Sequence, residues 1–406
     1  MSKNQIKPTL FGYGLTTKAI ANKLGGGCTF FDDNVKEAYS DEAGNQILPS
    51  ALFDPEKSDL EVTTPSLKPD HPLIKSAKNL LSEYDYFEKE MPFSIWISGT
   101  NGKTTTTQML TYLLANRGAI SGGNIGTPLA ELDTSAPIWV LESSSFALHH
   151  TKRASPDIYL LLPITPDHLD WHKTYEQYEA DKLRPLLTMK EGELALVPKG
   201  LNLPKTNAYV VEYDSDTFIE EYFNLDGSQL RFKAAFLQDA LLALAVTKVL
   251  FDEADYALMN RFTLDAHRQE EFRDTQGRLW VNDSKATNLD ATVQAVKGYQ
   301  DRPIHLIMGG DDKGVDLTPL FENMQQLMLT LYTIGKNSDR LQTLAKSYGI
   351  NAVESKTIQN AVEKIDAVHT QESVVLLSPA AASFDQFNSY KHRGDTFMEL
   401  VKAIKN

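Results

Sequence analysis

The residues best suited to chemistry lie in the segment IWISGTNGKTTTT, at positions 95–107. An apolar, strand-like run leads into GTNGKT, and a helix-forming stretch follows. Glycines let backbone N–H groups surround phosphate oxygens, and the N-terminus of the following helix favours negative charge. Lys103 would reach the terminal phosphates, and Thr104 could bind magnesium. The segment predicts a nucleoside triphosphate site, although Ile97 stands where the general phosphate-loop pattern has a glycine.

Two further segments carry polar groups directly after apolar runs. The run Ile138–Leu141 ends at Glu142, and a carboxylate at a strand end beside a phosphate loop is where a magnesium ligand is expected. A solvated strand end is the other interpretation of Glu142. The run Ile158–Leu162 leads into PITPDHLDWH, whose two histidines and two aspartates resemble zinc ligands. Their spacing is poor for zinc and favours one histidine, His168, donated to a second magnesium.

Two other features are ambiguous when they are taken alone. Lys182 lies on an amphipathic helix and, by itself, is typical of a solvent-exposed lysine. Gly12-x-Gly14 with Asp32 twenty residues after the first glycine resembles a dinucleotide fingerprint, but Thr17 occupies the third glycine position. We therefore expect another nucleotide-bearing ligand on that scaffold. A nicotinamide-dependent dehydrogenase remains the alternative from a different class.

The last third of the chain places polar clusters after three successive strands. These clusters are NDSKATN, GGDDKG and SPAAASFDQF. In open α/β sheets, ligands bind outside the carboxyl ends of the strands. Basic and hydroxyl side chains that converge there suit a small anionic substrate with a carboxylate.

The elements that must position these residues are short apolar runs that alternate with helical segments, which predicts an α/β fold of parallel sheets covered by helices. We expect three domains: a Rossmann-like domain over 1–91, a central P-loop ATPase-type parallel sheet over 92–263 and a C-terminal Rossmann-like domain over 264–406. The predicted strands are Thr9–Phe11, Thr29–Phe31, Phe93–Ile97, Ile138–Leu141, Ile158–Leu162, Leu279–Asn282, Ile304–Met308, Leu329–Ile334 and Val374–Leu377.

Composition narrows the function classes. The 406 residues include 40 Lys and Arg against 54 Asp and Glu, a net charge of −14, so the basic surface of a general nucleic-acid binder is missing. Cys28 is the single cysteine and cannot form an intrachain disulfide. The N-terminus lacks a secretory pattern, which predicts a cytoplasmic protein. The apolar window Phe236–Phe251 contains Asp239 and Lys248, which favours a buried helix over a membrane span.

Together these segments resemble the Mur ligase family, and within it the ligases that add D-glutamate. The resemblance covers nearly the whole chain, and NDSKATN and SPAAASFDQF are its most specific motifs. The shared motifs, in family order, are GTNGKTTTT, GGNIGTP (122–128), ESSSF (142–146), DHLDWH (167–172), AHR (266–268), NDSKATN (282–288), GGDDKG (309–314) and LSPAAASFDQF (377–387).

The resemblance implies an ATP-dependent amide ligase of peptidoglycan synthesis, a monomer that joins D-glutamate to UDP-N-acetylmuramoyl-L-alanine through an acyl phosphate and a tetrahedral intermediate. Lys103, His168 and Lys182 are the implied catalytic residues, and Lys182 matches a lysine that is carbamylated in the family. Two Mg²⁺ ions are implied, with the ligands Thr104, Glu142, His168 and Lys182.

The same resemblance implies the ligand contacts. ATP would be held by Gly99, Thr100, Asn101, Gly102, Lys103, Thr104, Thr105, His267, Arg268 and Asp283. The UDP-linked substrate would be held by Leu15, Thr16, Asn124, Ser144 and the loop after Phe31. D-glutamate would be held by Thr287, Lys313, Ser383 and Phe384.

Two departures from the family pattern leave alternatives open. Phe236 and Asp239 replace two asparagines of an H-N-x-x-N motif, which raises the possibility of a noncatalytic ATP-binding scaffold. The intact Lys103, Glu142, His168 and Lys182 argue against that alternative. The nearest rival is another ligase of the same superfamily, with a different amino acid or a folate-type acceptor.

Overall fold

The computed structural model describes residues 7–404, and within that range the strands form three six-stranded sheets. The chain divides into two compact units. One runs to Leu230 and includes Asp239–Asn260, and the other contains Arg231–Gln238 and the chain from Arg261 onward. The first unit holds two of the sheets and the second unit holds the third.

The first sheet is built from short strands, which are mostly buried at its centre, while the edge strand Tyr39–Ser40 is exposed. Its strands are β1 Thr9–Phe11, β2 Thr29–Asp32, β3 Tyr39–Ser40, β4 Gln46–Pro49, β5 Glu61–Thr63 and β6 Leu80–Leu81, and its helices are α1 Leu15–Lys23, α2 Pro72–Ser76 and α3 Glu83–Phe87. Their order is β3-β4-β2-β1-β5-β6, and all neighbours are parallel except β3 and β4.

The second sheet is parallel throughout, in the order β12-β11-β10-β7-β9-β8. Its strands are β7 Phe93–Ser98, β8 Ala119–Gly123, β9 Ile138–Glu142, β10 Ile158–Leu161, β11 Leu194–Pro198 and β12 Tyr209–Tyr213. Its helices are α4 Lys103–Leu113, α5 Ser145–His150, α6 Leu169–His172, α7 Tyr175–Leu183, α8 Asp216–Phe223, α9 Ala234–Phe251 and α10 Tyr256–Met259.

The third sheet follows the order β13-β14-β18-β15-β16-β17 and is parallel except at β13. Its strands are β13 Glu270–Arg273, β14 Leu279–Asn282, β15 Ile304–Gly309, β16 Leu329–Ile334, β17 Asn351–Lys356 and β18 Val374–Leu377. Its helices are α11 Leu289–Lys297, α12 Thr318–Met324, α13 Ser338–Ser347, α14 Ile358–Asp366 and α15 Tyr390–Lys402.

Strand register determines which loops meet in the second sheet. In the central strand β7, Ile97 pairs with Glu142 of β9, and Ser98 pairs with Leu161 of β10. The carboxyl ends of these three parallel strands therefore lie at one edge of the sheet. The phosphate loop, the Glu142 turn and the loop that contains His168 all begin there.

The predicted α/β class and the nine predicted strands are confirmed. Four strands match at both ends, and the other five differ by one residue. The run Ile158–Leu162 ends one residue early because the chain leaves the ladder before Pro163. Glu142, in contrast, is still part of β9. The domain boundaries near residues 91 and 263 stay predictions.

The apolar helix α9 lies mainly in the interior, as its sequence predicts. By length and composition it could cross a membrane, but 56% of its apolar window is buried inside the protein. Its buried residues run from Asp239 to Thr247. The single cysteine, Cys28, is also buried, at 1% exposure.

Segment 82–85 fastens α3 to the second sheet through buried polar groups. The Asp85 carboxylate accepts hydrogen bonds from the backbone N–H groups of residues 152, 153 and 154, at 2.8–2.9 Å. The Glu83 carboxylate accepts from the N–H of Ala130 at 3.3 Å. Burial raises the pKa of Glu83 from 4.5 to about 7. The folded protein therefore favours the protonated form of this carboxyl group more strongly than the unfolded chain does.

The wild type should lose stability as the pH rises, and we expect Glu83→Gln to remove the part of that loss that comes from Glu83. Because the folded pKa is raised, the contribution of Glu83 is fully present below pH 4.5 and is lost as the pH rises through about 7. Between about pH 5 and about pH 8, the free energy of unfolding of the wild type should fall by about 2 kcal/mol relative to the variant. Denaturant unfolding at both pH values measures this difference, and parallel pH profiles would contradict it.

Candidate active site

The phosphate loop leaves no room for side chains at its two glycines. Gly99 has a φ of +143°, and a Cβ there would lie 2.5 Å from the Cβ of Leu162. Gly102 has a φ of +83° and precedes the first residue of α4; a Cβ there would lie 2.6 Å from Oδ1 of Asp239. Positive φ values are costly for residues other than glycine. Glycine is therefore required at both positions by space and by backbone conformation.

The loop is held closed by hydrogen bonds at both ends. Lys103 Nζ donates to the carbonyls of Gly99 at 3.0 Å and Thr100 at 2.8 Å, so the side chain folds back over the loop. The Thr100 hydroxyl donates to the Thr165 carbonyl at 3.0 Å and lies 3.0 Å from the Tyr178 hydroxyl. The amine of Lys103 thus stands at the mouth of the loop, where a terminal phosphate would bind.

Glu142 is buried beside this loop with one carboxylate oxygen free. Its side chain is 2% exposed, Oε1 accepts from Asn124 Nδ2 at 2.5 Å, and Oε2 has no hydrogen-bond partner. A buried carboxylate oxygen without a donor is costly unless a cation or a ligand satisfies it. Asn124 is thus bonded to Glu142, and Ser144 accepts from the N–H of Ala147 as the N-cap of α5.

Lys182 is buried, which contradicts its interpretation as a surface residue. It is 1% exposed, and its Nζ donates to the Gly99 carbonyl at 2.6 Å. Burial, followed by the positive charge of Lys103, holds the pKa of this amine well below 10.5. The carboxylates of Asp167, Asp181 and Glu142 act in the opposite direction. The fold therefore favours the neutral form of this amine more than water does.

His168 is the remaining predicted catalytic residue near the phosphate loop. It precedes α6 with a left-handed φ of 52°, and its ring packs 4.8 Å from the ring of Phe146. Partial burial lowers the pKa of His168, Asp167 raises it, and Lys103 and Lys182 lower it further. Lys103 and Lys182 both donate to the Gly99 carbonyl, and Glu142 ends β9 next to the strand that leads into the loop. The predicted catalytic and metal-binding side chains are thus brought together, and Thr104 and Thr105 follow Lys103 in α4.

The predicted uridine site coincides with a cavity of about 260 Å³ at the carboxyl ends of β1 and β2. Leu15 and Thr16, which the resemblance implies as contacts, begin α1 next to the cavity but do not line it. Asp32 accepts from the N–H groups of Tyr13 at 2.7 Å and Asn34 at 2.8 Å, so its carboxylate closes the turn. The cavity-lining residues are Gly12, Tyr13, Gly14, Phe31, Asp32, Asp33, Asn34, Thr64, Ser66, Leu67 and Leu73.

In the second unit, backbone hydrogen bonds join the three predicted polar loops. The N–H of Ala380 donates to the carbonyl of Ala286 at 3.0 Å, which joins the first loop to the third. Asp311 and Ala382 exchange two hydrogen bonds of 3.0 Å, which joins the second loop to the third. The three loops are therefore adjacent at the strand ends, and the convergence of their basic and hydroxyl side chains on a substrate stays a prediction. On these loops, Thr287, Lys313 and Phe384 are exposed and Ser383 is buried.

The remaining predicted ATP contacts also lie in the second unit. The Asp283 carboxylate accepts from the Ser378 hydroxyl at 2.8 Å and from the N–H of Gln269 at 3.1 Å, and its burial raises the pKa to about 7. His267 Nδ1 lies 2.9 Å from Asn282 Nδ2. Arg268 Nε lies 4.0 Å from Asp265 Oδ2.

Several residues that shape these sites were not predicted from the sequence. Arg393 of α15 is 1% exposed and donates to the Ser284 hydroxyl at 3.0 Å, the Ser284 carbonyl at 2.8 Å and the Ala381 carbonyl at 3.1 Å. It therefore clamps two of the polar loops together. Tyr178, beside Thr100, was also missed. Each partner lies far away along the chain, so no local motif announces the contact.

The second sheet has a phosphate loop with a buried lysine and a buried carboxylate at one edge, and the third sheet has polar loops at its strand ends. These features are typical of nucleotide-dependent ligases. The family model described as the Mur ligase middle domain matches residues 97–224, and the model described as the Mur ligase, glutamate ligase domain matches residues 267–381. The chain belongs to the Mur ligase family.

Named relatives match over the full length. A protein of Campylobacter jejuni subsp. jejuni named UDP-N-acetylmuramoylalanine--D-glutamate ligase is 48% identical over 98% of this chain and 100% of the relative. A protein of Helicobacter pylori with the same name is 44% identical over 98% of this chain and 99% of the relative. The MurF ligase of Thermotoga maritima, solved in complex with ADP, has a TM-score of 0.59 at 13% identity and covers 99% of this chain and 98% of that one, which supports the fold alone.

We expect Gly102→Ala to abolish measurable MgATP binding because the added Cβ would meet Asp239 and force the loop to move. The matched control is Gly192→Ala, since Gly192 has a similar φ of +91° with no atom within 4 Å of the added carbon. Both variants should lose about 1 kcal/mol of stability through backbone strain. Calorimetric titration with MgATP separates the two effects, and equal affinities in the two variants would contradict the expectation.

Proposed function

We propose that the protein is an ATP-dependent ligase that forms an amide bond between UDP-N-acetylmuramoyl-L-alanine and D-glutamate, as the resemblance implies, and releases ADP and phosphate. The observation that carries the proposal is that Lys103 and the buried Lys182 donate to the same carbonyl of the phosphate loop, with the buried Glu142 at the end of the neighbouring strand. The names of the full-length relatives at 44% and 48% identity support the choice of substrates.

The chemistry explains why such a site needs several cationic groups. A carboxylate is a poor acyl donor, so the terminal phosphoryl group of ATP first passes to the alanyl carboxylate. The amine of D-glutamate then attacks the acyl phosphate, a tetrahedral intermediate forms, and phosphate leaves. Lys103 and the N–H groups of the loop would stabilise the charge that develops on the transferred phosphoryl group.

Two side chains near the loop, Glu142 and His168, could each supply a ligand to a divalent cation. Glu142 offers a buried oxygen without a donor, and the lowered pKa of His168 favours its neutral, metal-binding form. A cationic Lys182 would repel such an ion, whereas a carbamate on its Nζ would supply anionic oxygens. We propose that Thr104, Glu142, His168 and carbamylated Lys182 hold the two Mg²⁺ ions. When bound, magnesium neutralises phosphate charge and polarises the acyl oxygen.

The other ligand contacts are proposed from the same combination of resemblance and position. The cavity beside Gly12 and Asp32 would hold the uridine diphosphate, and Asn124 and Ser144 would face the muramoyl end. Thr287, Lys313, Ser383 and Phe384 would hold D-glutamate. His267, Arg268 and Asp283 would serve ATP.

Other functions have weaker support. A dehydrogenase would leave Lys103 unexplained. A ligase for another amino acid of the superfamily is the second candidate, and it differs from the proposal in its substrate alone. The cytoplasmic location and the monomeric state stay predictions.

Phosphate release from MgATP tests the reaction and its specificity together. With UDP-N-acetylmuramoyl-L-alanine present, release should require D-glutamate and not L-glutamate, D-alanine or meso-diaminopimelate, and the product mass should rise by one glutamyl unit. Lys103→Ala should lower kcat by about 10²- to 10³-fold because it removes a donor to the transferred phosphoryl group. Lys199→Ala, at an exposed lysine paired with Asp214, is the control. Release with another amino acid would show that the enzyme has a different amino-acid specificity. Retained turnover in Lys103→Ala would contradict the proposed role of Lys103.

Carbamylation of Lys182 is open to direct detection. Only a neutral amine adds carbon dioxide, and the lowered pKa of Lys182 favours that form near neutral pH. We expect a carbamate signal in the ¹³C NMR spectrum of wild-type protein with labelled bicarbonate, and its loss together with turnover in Lys182→Arg. Lys173→Arg, at an exposed lysine paired with Asp70, should keep the signal. A signal that survives in Lys182→Arg, or none in the wild type, would refute carbamylation at this residue.

A further inference from the structure

Four side chains near the proposed metal ligands, of which all but the partly exposed His149 are buried, form one hydrogen-bonded network, here called the Asp181 network: Ser145, His149, His172 and Asp181. His172 Nδ1 lies 2.7 Å from Asp181 Oδ2, and His149 Nδ1 lies 2.8 Å from Asp181 Oδ1. His172 Nε2 lies 2.9 Å from the Ser145 hydroxyl. Because the carboxylate accepts from Nδ1, the Nε2 of a neutral His172 accepts from Ser145.

The connectivity is that of a serine, histidine and aspartate hydrolytic triad, but the site is closed. Ser145 and His172 are each 3% exposed, and Asp181 is 0% exposed. The ring of Phe146 is stacked on that of His172 at 5.5 Å and 8°. A nucleophile needs access to substrate, and Ser145 has none. The network therefore connects parts of the structure and does not attack a substrate.

Each helix joined by the network contains or closely follows one proposed metal ligand. Ser145 begins α5 three positions after Glu142, and His172 ends α6 four positions after His168. Asp181 directly precedes Lys182 in α7. Three separate loops or helices are thus connected through one carboxylate.

Helix α6 is a single turn, so its position depends on contacts with other parts of the protein. It has four residues, and an isolated helix of that length is unstable in water. The N–H of His172 donates to the carbonyl of His168 at 3.0 Å, so the position of one histidine determines that of the other. Gln177 Nε2 of α7 and Arg184, which directly follows α7, also donate to Asp181 Oδ1, at 2.9 and 3.4 Å. Asp181 is therefore the centre to which α5, α6 and α7 are attached.

We propose that Asp181 is a positioning residue that, through His172, His149 and Ser145, holds Glu142, His168 and Lys182 in the arrangement that binds the divalent cation. This inference rests on the proposed function for the identity of the metal site. It assigns a role to four side chains, Asp181, His172, His149 and Ser145, that are not among the predicted ATP or substrate contacts. Groups that orient metal ligands typically change metal affinity or activity 10- to 100-fold when they are replaced.

The test compares Asp181→Asn with Glu179→Gln in the full chain. Both changes remove a carboxylate charge from α7, but Glu179 accepts from the N–H of Asn202 at 3.2 Å and makes no contact with the network. The primary readout is Mn²⁺ binding in the presence of a non-hydrolysable ATP analogue, followed by electron paramagnetic resonance. Asp181→Asn should weaken Mn²⁺ binding at least about tenfold, and Glu179→Gln should leave it within about twofold.

Turnover gives a second readout that a general loss of stability would not produce. In Asp181→Asn the Mg²⁺ concentration at half-maximal rate should rise by about tenfold, while the KM for D-glutamate stays within about twofold of the wild type. Equal Mn²⁺ affinity in the two variants, or no Mn²⁺ binding by the wild type, would overturn the inference. If the wild type binds Mn²⁺ but releases no phosphate with D-glutamate, the proposed function fails while the Mn²⁺ comparison still decides the role of Asp181.

Ser145→Ala keeps the inference testable if Asp181→Asn does not fold. It removes one hydrogen bond to His172 and leaves the buried carboxylate with both histidine partners. Loss of one hydrogen bond should weaken Mn²⁺ binding by about threefold. An unchanged affinity in a folded Ser145→Ala variant would overturn the proposal.

Discussion

The active-site region depends on how tightly the phosphate loop is enclosed. Gly99 lies against Leu162 and Gly102 against Asp239, so the backbone itself fills the space between β7, the loop after β10 and α9. This packing puts the Gly99 carbonyl within 2.6 Å of the Lys182 amine, which has no access to water. Because an isolated charge is costly there, the pKa of Lys182 falls and the amine becomes chemically available. The close packing of the loop thus contributes to the lowered pKa of Lys182.

The third sheet solves a similar problem by a different route. Its polar loops are irregular backbone at strand ends, where the N–H and C=O groups need partners. The pairing of Asp311 with Ala382 and of Ala380 with Ala286 supplies them, and the buried guanidinium of Arg393 satisfies two further carbonyls. Burial lowers the pKa of Arg393 to about 10, yet its hydrogen bonds keep it in place. Exposed groups such as Lys313 can then face a ligand from a rigid base.

Local signals account for what the sequence could predict. Apolar runs bounded by glycine or polar residues located the nine predicted strands, and the phosphate loop was recognised because its function needs a contiguous backbone. Contacts between distant positions had no such signal: Asp181 joins His149 across 32 residues, and Arg393 reaches Ser284 across 109. Lys182 was identified by family resemblance alone, since its own helix is typical of a surface element. Burial is a property of the packed chain, and periodicity could not reveal it.

The position of Asp239 bears on whether the chain retains catalysis. It replaces a family asparagine and, with 4% exposure, lies against Gly102 inside a loop shaped for an anion. A carboxylate so close to bound phosphate would repel it unless a cation stood between them. The replacement therefore increases the need for a metal ion at the loop. A noncatalytic scaffold that bound nucleotide without a metal would face the same repulsion from Asp239, so the departure agrees better with a metal-dependent site.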